Sequence, residues 1–157
     1  MKDITTYILE GVNNKDIAKS LDRAINSEKP VFISKVSGSM YNKVVDAVKD
    51  AAKRNNREYL EQHCDKLEAA DFSKYNKQGH CTVSGLNTIM QNPNEKYVLF
   101  INFEDVTPDI INAFMPIILK HSIDNKVYDN FTVIGYGDWD KLNKPMQSRF
   151  LNKCLTF

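Results

Sequence analysis

The sequence predicts an α/β fold: a three-layer, mostly parallel five-stranded sheet with helices on both faces. Three observations carry this. Lys96–Asn102 is a continuous apolar run between polar flanks, the pattern of a strand covered on both faces. Apolar stripes of helical period follow two strand-like runs: Val44, Val45, Val48, Ala51 and Ala52 after Val31–Ile33, and Ile110, Ile111, Phe114, Met115, Ile118 and Leu119 after Lys96–Asn102. The alternation of strand and helix then continues to the last residues, as a doubly wound sheet requires.

Taken in order, Ile17, Leu21, Ala24 and Ile25 fall on one helical face, with Asn13 or Asn14 able to cap the start. Lys29-Pro30 ends that helix and opens strand Val31–Ile33. A loop around Gly38 leads to a helix starting near Met40. Tyr59–Cys64 reads as a second, shorter strand, and Asp65–Tyr75 as a broken helix and loop that closes on the turn Asn76–Gly79. Thr82–Met90 is a short helix stopped by Asn92-Pro93. Thr107 and Pro108 start the next helix as cap and first residue, and Pro116 inside it predicts a kink. Phe131–Ile134 is a strand expected to end at Gly135-Tyr136-Gly137. Lys144 to about Phe150 is helical, and Cys154–Phe157 forms the last strand.

The chain has 157 residues, enough for one domain with a substantial core. Residues 1–157 read as that single domain, with 1–29 as a helical extension. Lys and Arg number 21 against 20 Asp and Glu, so composition gives no footprint for nucleic acid or an anionic membrane surface. No run approaches the roughly 18 apolar residues of a membrane span. Three cysteines, an odd number in a chain too large to need staples, suit a reducing cytoplasm.

The segment from Pro30 to Ala52 has the layout of a phosphate-binding loop: buried strand, loop with Gly38, then helix. A working loop follows G-x-x-x-x-G-K-[ST], in which backbone N–H groups close on the phosphates, Lys neutralises them and Ser/Thr holds Mg²⁺. The matching run here is Lys35-Val-Ser-Gly-Ser-Met-Tyr41-Asn42. Lys35 and Met40 stand at the glycines, Tyr41 at the Lys and Asn42 at the Ser/Thr. The scaffold is kept and the chemistry is substituted.

Three blocks in order then point to one family. Lys96–Leu119 (KYVLFINFEDVTPDIINAFMPIIL) resembles the second nucleotide-site strand and following helix of AAA+ ATPases, in the MoxR-like pattern hhhhDExxxxPPxhxxAhhxhh. Phe131–Phe150 (FTVIGYGDWDKLNKPMQSRF) resembles that group's next block, a strand ending in an A-T-x-N sensor and then L-x-x-A-h-x-x-R-F. Tyr59–Phe72 resembles the strand and L-x-x-x-D-h segment between the nucleotide motifs. The similarity covers about residues 30–157 and implies a P-loop NTPase or AAA+ core in which both nucleotide motifs are degenerate. In the register set by Pro108, the Mg²⁺-side Asp and the water-activating Glu fall on Ile101 and Asn102; shifted by one, they fall on Asn102 and Phe103. Asp138 stands at the polar sensor position. Arg149 matches an Arg that in the family can reach a neighbouring subunit's γ-phosphate. The helical lid that closes over nucleotide in the family is expected to be absent.

The resemblance implies nucleotide-site remnants at Gly38, Tyr41, Asn42, Asn102 and Asp138, with Arg149 as a potential arginine finger and no catalytic set. Phosphoryl transfer depends on positioning and charge neutralisation, and each missing donor costs about 3–4 kcal/mol of transition-state stabilisation. His63-Cys64 and His80-Cys81 lack zinc spacing, and neighbours on a strand point to opposite faces. No metal site and no cofactor are therefore expected. The resulting expectation is a non-hydrolysing, protein-binding or regulatory module, monomeric or a small oligomer, with an AAA+ ATPase as one candidate partner. Small size, the missing lid and frequent Asn and Lys suit a phage or mobile-element regulator. The competing expectation is a divergent or truncated ATPase that still binds ATP and Mg²⁺ weakly.

Overall fold

The computed structural model describes residues 14–34, 41–72, 83–149 and 154–156. Helix α1 (Asn14–Ser27) leads to strand β1 (Val31–Ser34), helix α2 (Tyr41–Arg54) and strand β2 (Glu58–His63). A 3₁₀ turn (Ala69–Phe72) precedes α3 (Ser84–Gln91), β3 (Tyr97–Asn102) and α4 (Pro108–Lys120). A small hairpin follows, β4 (Ser122–Ile123) and β5 (Lys126–Val127), then β6 (Phe131–Gly137), α5 (Lys144–Arg149) and β7 (Cys154–Thr156).

Five strands form one sheet in the order β2-β3-β6-β1-β7, and every pairing is parallel. Side chains alternate across it. Val31, Ile33, Val98, Phe100, Ile134 and Tyr136 pack under α1 and α2, through Leu21, Ala24, Ile25 and the predicted stripe from Val44 to Ala52. Phe32, Leu99, Ile101, Phe131 and Val133 face α3, α4 and α5. Both faces are thus covered, which is why β3 and β6 are buried at every position.

Several local expectations change in the folded chain. Gly135, Tyr136 and Gly137 continue β6 rather than ending it, because Phe32, Ile33 and Ser34 of β1 pair with them. Pro116 lies inside α4, which continues past it to Lys120. Both Pro116 and the Asn112 one turn earlier are exposed, so water can satisfy the carbonyl that loses its donor. The buried stripe of α4 uses Ile117, and Leu119 is left 46% exposed. Thr107 sits at the cap position without bonding the helix backbone; its hydroxyl donates to the Asp109 carboxylate instead. The sequence reading missed the hairpin, whose loop residues Asp124 and Asn125 both have positive φ, 54° and 65°. That is the backbone twist a two-residue hairpin loop needs.

Candidate functional site

The site lies at the C-terminal edge of the sheet, where open α/β folds place their ligands. Its centre is Tyr41, the first residue of α2. Register alone brings His63, Asn102 and Tyr136 into one row, since His63 pairs with Asn102 and Asn102 with Tyr136. The Tyr41 ring packs into this row. Its centroid lies 5.2 Å from that of Tyr136 and 6.3 Å from those of Phe100 and His63. The ring therefore lies on the sheet as part of the core's edge.

The Tyr41 hydroxyl is buried near Asn102 and Glu61 but makes no hydrogen bond of good geometry. Burial pushes its pKa up to about 12; the Glu61 and Glu104 carboxylates add to the rise, and Asn102 opposes it. Among the described residues, the charges acting on Tyr41 are thus negative, the wrong sign for a triphosphate.

Asn102 is 6% exposed, and both of its side-chain polar atoms have contacts. Its Oδ1 accepts from the Glu104 amide at 2.9 Å, and its Nδ2 lies 3.5 Å from His63 Nδ1. The chain of contacts continues through His63 Nε2, 2.7 Å from Glu61 Oε2, to Tyr59, whose hydroxyl donates to Glu61 Oε1 at 2.6 Å. Burial alone would raise the Glu61 carboxyl, but the hydrogen bonds from Tyr59 and His63 outweigh it and hold the group below its ordinary value.

The sequence-predicted residues separate in space. Tyr41 and Asn102 come together. Asn42 is exposed on the first turn of α2. Ile101 and Phe103, the alternative positions for a carboxylate, are buried in the opposite layer. Asp138 caps the short 3₁₀ turn Trp139–Lys141 by accepting from the Asp140 amide at 3.0 Å. It borders a separate cleft of about 420 Å³ with Glu104, Asp105 and Lys141. Arg149 ends α5, and its side chain lies outside the described part of the structure, as do Gly38, His80 and Cys81. Cys64 is buried on the face away from His63, and burial pushes its thiol up to about 12. Among the described residues no cluster could ligate a metal, and no helix is long and apolar enough to cross a membrane.

Sequence reasoning missed the polar row itself. The signal was present in the two-residue period of Tyr59-x-Glu61-x-His63, which puts three chemistry-bearing side chains on one face of β2. What it lacked was the neighbouring strand.

No family model and no curated protein matches the chain. Solved structures do. The chain is similar to RuvB of Thermotoga maritima at 15% identity and a TM-score of 0.61, covering 93% of this chain and 46% of that one. It is similar to NtrX of Brucella abortus at 10% identity and a TM-score of 0.62, over 90% of this chain and 36% of that one. A third similar structure is Rif2 in complex with the C-terminal domain of Rap1, at 15% identity and a TM-score of 0.56, over 90% and 51% of the two chains. The chain therefore spans less than half of the RuvB and NtrX chains. Identities this low establish architecture and nothing finer: the chain has the fold of the AAA+ P-loop ATPases.

Proposed function

We propose that the chain is a non-hydrolysing AAA+-like module that works by binding or regulating a partner protein, an AAA+ ATPase being the partner class. The observation that carries the reading is Tyr41. At the helix start where a nucleotide-binding relative needs a mobile cation, a neutral aromatic ring is packed on Tyr136, Phe100 and His63. An ammonium there would have to reach phosphate; this ring is held down on the sheet. Asn102 supports the same reading, since its oxygen is spent on a backbone amide and it carries no charge to hold Mg²⁺. The negative groups Glu61 and Glu104 disfavour phosphate further.

Protein binding is supported by one structural neighbour of this fold, Rif2, which was solved bound to a domain of another protein. On this reading Arg149 is offered to the partner, no metal takes part, and the module is monomeric or a small oligomer in the cytoplasm.

The test is thermal melting with Mg·ATP. A ligand at 100 times its Kd stabilises the native state by about 2.7 kcal/mol, which at this chain length moves the midpoint by roughly 5–10 °C. The expected shift at millimolar Mg·ATP is zero. A shift of that size would overturn the reading in favour of a divergent ATPase.

A further inference from the structure

We propose that the outer edge of β2, beneath Lys49 and Lys53, docks an extended acidic segment of a partner protein as an added strand. This rests on the protein-binding reading and names the surface and the chemistry it selects.

Among the described residues, strand β2 is at the end of the sheet and pairs only with β3. The Glu58 and Cys64 amides donate inward, to Lys96 O at 2.8 Å and Asn102 O at 3.1 Å. With a two-residue period, the backbone N–H groups of Tyr59 and Glu61 point outward. Among the described residues they have no backbone partner on that side. Glu58 and Glu61 are exposed and Tyr59 and Leu60 half-buried, so the edge is open.

Charge decides the occupant: Glu61 is held by Tyr59 and His63, and Glu58 stands on the other face of β2, so the lysines are the charges an added strand meets beside α2. Lys49 and Lys53, one turn apart on α2, border a cleft of about 460 Å³ with Arg57, Glu58 and Tyr59. Arg57 is already used, 3.3 Å from Glu28 Oε1 and 3.4 Å from Tyr97 O. The two lysines form no ion pair among the described residues. Lys49 Nζ is held over the Tyr59 ring, 5.4 Å from its centroid, which stations the ammonium above the strand. An added strand runs about 4.8 Å from β2, and every second side chain would rise beside these lysines. Acidic residues alternating with apolar ones therefore fit, the apolar set meeting Leu60 on the opposite face. A nucleic-acid strand fits less well. The Tyr59 ring is covered by Lys49, lies 6.0 Å from Phe100 and bonds Glu61 through its hydroxyl, so no aromatic face is open to a base.

The test uses the full chain and a capped heptapeptide alternating glutamate with valine. Amide exchange followed by NMR should slow at Tyr59 and Glu61 on saturation. K49E/K53E changes two exposed residues and should weaken binding about tenfold while the fold is kept, with only the small melting loss expected from the Lys49–Tyr59 contact and the Lys53 charge at the helix end. Methylating the peptide's backbone nitrogens keeps its charge and should abolish the protection. Unslowed Tyr59 and Glu61 amides, equal binding by the methylated peptide or by a lysine–valine counterpart, or selective binding of oligo-dT through the same lysines would each overturn the proposal. The titration contains no nucleotide, so its failure leaves the Mg·ATP result standing and the two readings fail separately.

Discussion

The side-chain oxygen of Gln62 accepts a hydrogen bond from the Gly85 amide at 2.8 Å, so a buried residue of β2 caps the first turn of α3. The same oxygen accepts from the Ser84 hydroxyl at 3.2 Å, and the Gln62 amide nitrogen donates to the His63 carbonyl at 3.1 Å. Val83, at the cap position itself, has no side-chain acceptor. Helix α3 thus borrows its cap from the sheet. Gln62→Ala should destabilise the protein by about 1–3 kcal/mol, because a buried N–H loses its partner; urea unfolding measures it.

Gly85 is required by packing rather than by backbone angle. A Cβ there would stand 2.9 Å from Leu99 Cδ1 and 3.1 Å from Gln62 Oε1. Gly85→Ala should cost about 1–3 kcal/mol through overpacking, against the gain of a few tenths to 1 expected for Ala in an open helix. A neutral or raised denaturation midpoint would contradict the contact.

Tyr41→Phe removes a buried hydroxyl without a well-formed hydrogen bond and keeps the ring. Its stability should equal or exceed that of the natural sequence, whereas Tyr41→Ala should lose about 1–3 kcal/mol of packing for this half-buried ring. Calorimetry of the two variants separates packing from polarity. Tyr41→Lys alone should confer no Mg·ATP binding, since Asn102 still lacks a charge.

His121 sets an acid limb on stability. It ends α4 in the left-handed region, φ 53°, and its ring stacks 4.4 Å from Phe131. Burial is the main cause that holds its pKa below the ordinary 6.5, against smaller opposing effects from the Tyr128 backbone and Glu28. The unfolded chain therefore binds a proton first. Stability should be fully present above pH 6.5 and fall as pH drops through the lowered folded value. His121→Asn, which tolerates the same backbone angle, should flatten that limb. A second fall is expected below pH 4.5, from Glu61, whose folded pKa is also depressed, and Glu61→Gln should remove it. Denaturation midpoints from about pH 2 to 7 check both.

Asn125→Gly should raise stability by about 0.4–1 kcal/mol, because glycine carries no penalty at φ 65° in the hairpin loop. A melting rise of roughly 1–4 °C is the expected reading.

Periodicity along the chain set the layers. The unbroken apolar run of β3, the stripe of α2 and the order of strands and helices are set by which faces must leave water, and periodicity records that directly. It also placed Tyr41 at the helix start and Asn102 at the strand end. Which side chains meet was decided only by tertiary structure, because the sheet order β2-β3-β6-β1-β7 sets residues far apart in the chain side by side. That order puts His63, Asn102 and Tyr136 in the row on which Tyr41 lies, and Asp138 falls beyond it into another cleft. It also lets Gln62 reach Gly85, extends β6 through two glycines and, among the described residues, leaves β2 with an unpaired edge. Hydrophobic period reports the solvation of one element at a time, whereas hydrogen bonds and ring contacts across strands depend on pairwise register.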